Sequence, residues 1–370
     1  MKKTLVAAAI LGSFAASAFA APSVTLYGKI DTGFLYSHVD ADQAGVDSVD
    51  KFEMKSGWNS GSRWGLKGTE DIGNAKVGFQ LESGFNSDDG TSAQGGRLFG
   101  RQATVSVSGA YGTVYAGRLG SVSSDMGSVG MLGGVSPFGS SFTDLGTHGS
   151  TGSAWARYDN AIAYASPMIA GFYANAMYSF KADSKSVKEV KAAENKPEAT
   201  RYAAAGLGYK NGALDAVLVF DYTLYGNDTT HLGNGWSVIL GGNYDFGVAK
   251  AFAKATYFDN QTDAEDVFHF PVDADSHKLF NLKGWGASLG ASVPVFGGNF
   301  MAEVGYRDSE DVEYHNIDFK RWNTTVGYNY ALSKRTSVYA TGGWVQEKLD
   351  AAAKIKVNRV LVGGGLIHNF

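Results

Sequence analysis

The sequence predicts an all-β fold, namely a transmembrane antiparallel β-barrel of about sixteen strands. Apolar and polar residues alternate with period two from about Ser23 to Phe370, which is typical of strands whose two faces meet different surroundings. Glycine supplies 49 of the 370 residues and proline only 6, while aromatic residues make up 13%. Aromatic residues fit the interfacial girdles of a membrane barrel, and glycine fits its bends and crowded walls.

The N-terminal segment predicts export. Met1 to Lys3 is basic, Leu5 to Phe14 is apolar, and Ala18 to Ala20 is a small-x-small cleavage site, which are the three parts of a secretory signal peptide. We therefore expect residues 1–20 to be a signal peptide and residues 21–370 to form the barrel. No later segment has the roughly 18 uninterrupted apolar residues that a membrane helix needs.

Charge and motifs exclude several function classes. The net charge of -4 becomes -6 without Lys2 and Lys3, because 30 basic residues then face 36 acidic ones, and this argues against nucleic acid as a partner. Cysteine is absent, and a closed barrel needs no disulfides. We find no nucleophile elbow in a plausible setting, no His-Glu-x-x-His and no phosphate-binding loop. The sequence therefore predicts no enzyme, no cofactor and no metal site.

The polar faces of the predicted strands carry charged side chains, which distinguishes them from the strands of a soluble sandwich. In the first strand Val24, Leu26 and Ile30 share one face, whereas Thr25 and Lys29 share the other. Short and long connections alternate along the chain, as they do in outer-membrane barrels. The long connections are predicted at about residues 38–57, 120–154, 182–198, 260–281 and 308–317.

These connections divide the chain into sixteen predicted strands. An even number near sixteen leaves an aqueous lumen, whereas about eight strands would be filled by side chains. The predicted strands are residues 23–37, 60–71, 75–86, 97–108, 111–119, 155–166, 168–181, 199–210, 213–225, 233–246, 248–259, 282–295, 298–308, 317–331, 334–347 and 355–370.

The connection from about Leu119 to Ala154 is long and unusual. It is rich in glycine and serine, has no lysine or arginine, and contains only Asp125 and Asp144 as acids. A disordered surface loop is one interpretation of this composition. However, the loop also holds apolar residues that a solvated segment would lack: Met126, Met131, Leu132, Val135, Phe138, Phe142 and Leu145. We therefore expect it to pack on the inner barrel wall and to narrow the lumen.

Several motifs in a fixed order resemble those of one known family. They are Val24 to Lys29, Gly61 to Asp71, Leu98 to Gln102, Tyr115 to Arg118, Arg157 to Asn160, Ala165 to Pro167, and a terminal Phe370. With these motifs the chain resembles a general porin of Gram-negative outer membranes, of the beta-proteobacterial type, over essentially all of its mature length.

The resemblance implies a homotrimer in the outer membrane, to which the chain is exported through the periplasm. This trimer would let ions and small hydrophilic solutes pass by passive diffusion. The third loop would fold inward and form a constriction opposite a wall of basic side chains. These basic residues map onto Lys29, Arg63, Lys67, Arg101, Arg118 and Arg157. Phe370 would be the signal read by the barrel assembly machinery. Outer-membrane lipid and lipopolysaccharide are the other implied partners.

The acidic side of the constriction departs from the family. Many relatives have a Pro-Glu-Phe-Gly-Gly turn where this chain has Ser136-Pro137-Phe138-Gly139-Ser140. Asp125 and Asp144 are then the only acids in the loop. We therefore expect a constriction whose side chains carry a net positive charge and mildly favour anions. A substrate-specific channel for phosphate or organic acids, and a surface adhesin or barrel anchor, are alternative functions.

Two details stay open at this level. Arg101 shares the parity of Ala103 and Val105, so strict alternation turns it outward; if it faces the lumen, as the resemblance implies, the same alternation turns Thr104 and Ser106 outward. The acids of the long loops are either ordinary solvated residues or ligands of divalent cations that bridge to lipopolysaccharide phosphates.

Overall fold

A computed structural model describes residues 23–42, 47–145, 156–185, 192–226, 233–261, 281–351 and 354–370. The predicted signal peptide lies outside the described residues. Seventeen strand segments form one antiparallel sheet. They are β1 (Ser23–Ala41), β2 (Val49–Ser56), β3 (Arg63–Asp71), β4 (Lys76–Gly84), β5 (Gln102–Gly109), β6 (Gly112–Gly120), β7 (Arg157–Ala165), β8 (Phe172–Ser179), β9 (Arg201–Asn211), β10 (Leu214–Leu224), β11 (Gly235–Asp245), β12 (Lys250–Gln261), β13 (Leu282–Val295), β14 (Gly298–Asp311), β15 (Asp318–Ala331), β16 (Thr336–Asp350) and β17 (Lys354–Asn369).

The segments occupy sixteen positions in a closed barrel. β1 pairs with β3 through Ser23 to Lys29 and with β2 through Thr32 to Val39, so β2 and β3 share one position. β1 also pairs with β17, which closes the sheet. The prediction of a sixteen-stranded all-β barrel is confirmed.

The prediction of a long loop over residues 38–57 is wrong. β1 continues to Ala41 and forms a hairpin with β2. On β2, Phe52 and Met54 are exposed on the outer face, and the residues that alternate with them, Lys51, Glu53 and Lys55, are charged. This upper part of the hairpin is so polar that its composition resembles that of a loop.

The two faces of the barrel wall are opposite in character to those of a soluble barrel. On β15 the inward Arg321, Asn323 and Thr325 are buried, whereas Trp322 and Val326 are each 44% exposed on the outer face. A polar inside and an apolar outside are expected of a barrel that stands in lipid around a polar lumen. In the part of the chain that the structure describes, no helix has the length and apolar character needed to cross a membrane.

Short turns and long connections lie at opposite ends of the barrel. The turn between β9 and β10 has only Gly212 and Ala213 between its strands, and Gly212 adopts a φ of +56° there, which glycine tolerates best. Both ends of the described chain lie at this short-turn end, which corresponds to the periplasmic side of an outer-membrane barrel. The third loop leaves from the opposite end.

Phe370 completes the barrel seam. Its backbone N–H donates to Gly28 O, and its carbonyl accepts from Gly28 N, both at 3.0 Å. The aromatic ring lies directly over Gly28, where any side chain would collide with it. Its role as an assembly signal stays a prediction.

Candidate functional site

The connection between β6 and β7, called the third loop here, folds back into the barrel. In its described part, residues 121–145, Val122, Val129 and Leu132 have no exposed surface. They belong to one buried cluster with inward residues of β9, β10 and β11: Tyr202, Ala204, Val217, Val219 and Ile239. The prediction that the loop packs on the inner wall is confirmed for these residues.

Farther along, the loop passes along the inner face of the wall and packs against glycines of β9, β11, β13, β15 and β16. We call these residues the glycine track: Gly206, Gly241, Gly290, Gly327 and Gly343. A Cβ at Gly290 would lie 2.6 Å from Cδ of Pro137, and one at Gly241 would lie 2.8 Å from Cγ1 of Val135. Such approaches are closer than packed atoms allow. The path of the loop therefore depends on these positions having no side chain.

Polar contacts hold the loop at fixed points along the same wall. The Ser136 hydroxyl donates to Glu303 Oε2 at 2.5 Å. Asn175 donates from Nδ2 to Val129 O at 2.9 Å, and Asn243 donates to the carbonyl of Gly134 at 2.7 Å. Because these groups are largely withdrawn from water, each hydrogen bond also avoids the cost of an unsatisfied polar atom.

A second segment, residues 57–62 between β2 and β3, also enters the lumen. The fully buried Asp31 holds it, since Oδ2 accepts from the backbone N–H of Asn59 at 2.9 Å and of Ser60 at 2.7 Å. The other carboxylate oxygen, Oδ1, accepts from the Tyr339 hydroxyl at 2.9 Å. This segment was not predicted from the sequence.

The two inward segments touch. Phe142 N in the third loop donates to Trp58 O at 2.9 Å, and the two rings pack edge to face with centroids 5.0 Å apart. Trp58 is almost completely buried. The third loop and residues 57–62 therefore form one continuous inner rim.

This rim and the opposite wall enclose a cavity of about 500 Å³. Arg63, Arg101 and Arg157 line it from the wall, and Asp125 lines it from the third loop. The three arginines, which were predicted from motifs in separate segments of the chain, therefore lie around one cavity.

Glu82 on β4 lies among these arginines, and sequence reasoning missed it. Arg101 Nε lies 2.7 Å from Glu82 Oε1, and Arg63 Nη1 lies 3.9 Å from the same oxygen. The Tyr27 hydroxyl donates to Glu82 Oε2 at 3.0 Å. One carboxylate therefore holds two guanidinium groups side by side. Alternation could have found Glu82, because it shares the parity of Gln80 and opposes the outward Phe79.

Arg101 faces the lumen although the inward and outward faces of β5 are not exchanged. β5 begins only at Gln102, not at residue 97 as predicted, and Arg101 occupies the bend before it. Gln102 and Thr104 are buried on the inner side, while Val105 is half exposed on the outer face. The expectation that an inward Arg101 turns Thr104 and Ser106 outward is wrong, because strand parity does not extend across a bend.

The two lysines take different places. Lys29 Nζ donates to Ser60 Oγ at 3.3 Å, next to Arg63, whose Nη2 donates to the same hydroxyl at 2.6 Å. Lys67 lies farther toward the short-turn end, with Nζ 5.2 Å from the centroid of the Tyr27 ring. It lines a separate cavity of about 400 Å³.

Arg118 is not among the residues that line the larger cavity. Its Nη1 donates to Asp159 Oδ1 at 2.6 Å and to the carbonyl of Arg157 at 3.3 Å, and its Nε donates to the carbonyl of Gly100 at 2.8 Å. Arg118 therefore joins the backbone that carries Arg157 to the backbone just before Arg101.

The two predicted loop acids also separate. Asp125 lines the cavity, and its Oδ2 accepts from Ser140 N at 2.6 Å. Asp144 instead lies 3.0 Å from Lys55 Nζ and is not among the lining residues. Three basic and two acidic side chains thus line the cavity: Arg63, Arg101, Arg157, Glu82 and Asp125.

A closed sheet with a polar lumen, an apolar outer surface and an inward loop defines a membrane channel of the β-barrel class. The family model of the Gram-negative porins matches residues 6–350. The chain belongs to this family, and it is an outer-membrane porin.

Individual relatives agree with this assignment. An outer membrane porin protein of Bordetella pertussis is 37% identical, with 100% of both chains covered. Outer membrane porin protein 32 of Delftia acidovorans is 33% identical and covers 98% of this chain and 95% of its own length. Among solved structures, an anion-selective porin from Comamonas acidovorans has a TM-score of 0.62 at 27% identity, with 94% of this chain and 100% of that chain covered.

Proposed function

We propose that this porin is a passive, water-filled and mildly anion-selective pore for ions and small hydrophilic solutes, and not a catalyst. The observation that carries the proposal is the composition of the cavity lining, where three arginines face Glu82 and Asp125. Lys29, hydrogen-bonded to the lining residue Ser60, adds a fourth positive charge. The similar porin from Comamonas acidovorans is described as anion-selective, which supports the same direction here.

Local charge outweighs total charge in a narrow passage. The mature chain is expected to carry a net charge of -6, which by itself would favour cations. Charges in open water are screened over a Debye length of about 8 Å at physiological salt. Side chains that line the constriction act on a partly desolvated ion at close range, so each has a larger effect. Arginine is suited to this position because it stays charged when partly desolvated.

The test measures reversal potentials in planar bilayers under a salt gradient. Wild type should show a weak to moderate anion preference that fades as the salt concentration rises. The double substitution Arg63→Glu and Arg157→Glu should move the reversal potential toward cation preference. The matched control, Lys76→Glu with Lys334→Glu, makes the same change of total charge on exposed residues at the short-turn end and should leave the potential almost unchanged.

Other outcomes separate the alternatives. A cation-selective wild type, or a double variant with the wild-type potential, would contradict the proposal. Saturable block of the conductance by phosphate or an organic acid would instead indicate a substrate-specific channel. Absence of any conductance would favour an adhesin or a barrel anchor.

Assembly belongs to the same proposal. The family resemblance supports a homotrimer inserted by the barrel assembly machinery, with Phe370 as the recognised terminal residue. Deletion of Phe370 should lower the yield of membrane-inserted trimer at native expression, because the seam contacts with Gly28 are lost as well.

A further inference from the structure

The outer face of β15, β16 and β17 is layered toward the loop end of the barrel. The strand register places residues of the three strands directly opposite one another in rows. From the middle of the wall upward, the rows are Val326, Gly342 and Val362; Thr324, Trp344 and Val360; Trp322, Gln346 and Asn358; and Lys320, Lys348 and Lys356. The apolar layer is therefore followed by tryptophans and then by a row of three lysines, which we call the lysine row.

The lysine row points out of the barrel. Its neighbours along the chain, Phe319, Arg321, Glu347 and Val357, are buried on the inner side, and side chains of successive strand residues point to opposite faces. The Lys320 side chain is 47% exposed.

Three positive charges placed side by side repel one another. Directly opposed residues have Cβ atoms about 4.5–5.5 Å apart, and like charges at such positions are destabilising. Asp308 on β14 lies 3.6 Å from Lys320 and offsets one of them. Asp42, just after β1, lies beside Lys356, to whose carbonyl its backbone N–H donates at 2.7 Å. The next row toward the loop end consists of Asp318, Asp350 and Lys354. Among the residues that the structure describes, no carboxylate forms an ion pair with Lys348 or Lys356. A negative partner from outside the chain would remove this repulsion.

An apolar groove lies below the lysine row on the same strands, with the row of Trp322, Gln346 and Asn358 between them. It has a volume of about 630 Å³, and its lining includes Val326, Tyr328, Ala340, Trp344, Val360 and Val362. Gly342 lies among these larger side chains and leaves the depression open. A free anion would gain nothing from such a groove, whereas the acyl chain of a lipid would fill it.

The height of the row matches the lipid headgroups. Lys348 follows Trp344 by four positions, which is about 13 Å along a strand. Tryptophans concentrate at the boundary between hydrocarbon and headgroups, so the lysines lie in the headgroup layer at the loop end of the barrel. Lysine is an effective point charge for phosphate.

We propose that Lys320, Lys348 and Lys356 bind the phosphate groups of a phosphorylated glycolipid of the outer leaflet, while the groove below them holds one of its acyl chains. The site is separate from the pore, and the proposal does not rest on ion selectivity. It assigns an annular lipid site to three particular strands of the barrel.

The test uses the full chain in detergent and measures retained lipid by native mass spectrometry, with a purified bisphosphorylated outer-leaflet glycolipid and its dephosphorylated form. The triple variant Lys320→Gln, Lys348→Gln and Lys356→Gln should retain the phosphorylated lipid at least tenfold less well than wild type. Both proteins should retain the dephosphorylated lipid equally. Gly342→Leu, which fills the groove, should lower retention of both forms.

A matched control neutralises three lysines at the short-turn end: Lys76→Gln, Lys250→Gln and Lys334→Gln. This control should behave as wild type, and an equal loss in it would show that only total charge matters. Equal retention by wild type and the lysine-row variant would overturn the proposal. Loss of trimer in that variant would also overturn it, because the row would then be a contact between subunits.

Discussion

The two sides of the cavity between the third loop and the arginines are built by different physical means. On the loop side, apolar residues of the third loop pack over the glycine track and join a buried cluster with β9, β10 and β11. On the arginine side, Arg63 and Arg101 are held by Glu82 around open space. The loop side is therefore determined by packing and the arginine side by charge. This difference implies that substitutions on the arginine side can change the ion preference without changing the pore size.

The largest effect should come from removing the loop side. Deletion of residues 128–145 takes away the segment that crosses the lumen and leaves the flanking strands intact, so the single-channel conductance should rise at least about twofold. The ion preference should weaken at the same time, because a wider opening lets ions pass farther from the arginines. An unchanged conductance would show that the loop does not limit the pore.

A smaller effect should follow from adding one side chain to the glycine track. Gly241→Val places atoms where Val135 already lies, so the loop must shift or the barrel must lose about 1–3 kcal/mol of stability to overpacking. We expect an altered conductance with a reversal potential close to that of wild type. The measurement combines single-channel recording with thermal unfolding of the barrel.

Gly78→Val is the control for this substitution. The Cβ added there meets mainly the Ser106 hydroxyl, a side chain that can rotate away, and the third loop is not involved. An equal change of conductance in both variants would show that the contact between the glycine track and the third loop does not determine the conductance.

The fold could be predicted from the sequence because strand alternation is a local signal. β13, for example, spans Leu282–Val295, the same residues that alternation and turn composition predict. Prediction failed where tertiary contacts override the local pattern. The hairpin of β1 and β2 has the composition of a loop, and β5 begins five residues later than its apolar pattern suggests.

The arrangement of residues around the cavity could be predicted only in part. The arginines were found through motifs that lie far apart in the chain and that the barrel brings together. Residues 57–62 were missed because their position depends on Asp31 and Tyr339, which are 308 residues apart. The separation of Asp144 from the cavity likewise depends on Lys55, a neighbour that only the fold supplies.

The smallest expected effect belongs to Glu82, and it tests whether the arginine side acts through charge alone. Arg101 Nε donates to Glu82 Oε1 at 2.7 Å and the Tyr27 hydroxyl donates to Oε2 at 3.0 Å. Glu82→Gln removes one negative charge, but its amide oxygen can still accept from Arg101 Nε while its amide NH2 can donate to the Tyr27 hydroxyl oxygen. The lining then has three positive charges against one negative charge, so the reversal potential should shift modestly toward stronger anion preference while the conductance changes little. Glu82→Ala removes the same charge together with both contacts, which frees the two guanidinium groups to move. If charge is the determining property, both variants shift the potential in the same direction, and only the alanine variant should also change the conductance. A shift toward cations in Glu82→Gln would mean that Glu82 acts mainly by positioning the arginines. The conclusion that packing determines the loop side and charge determines the arginine side would then be wrong.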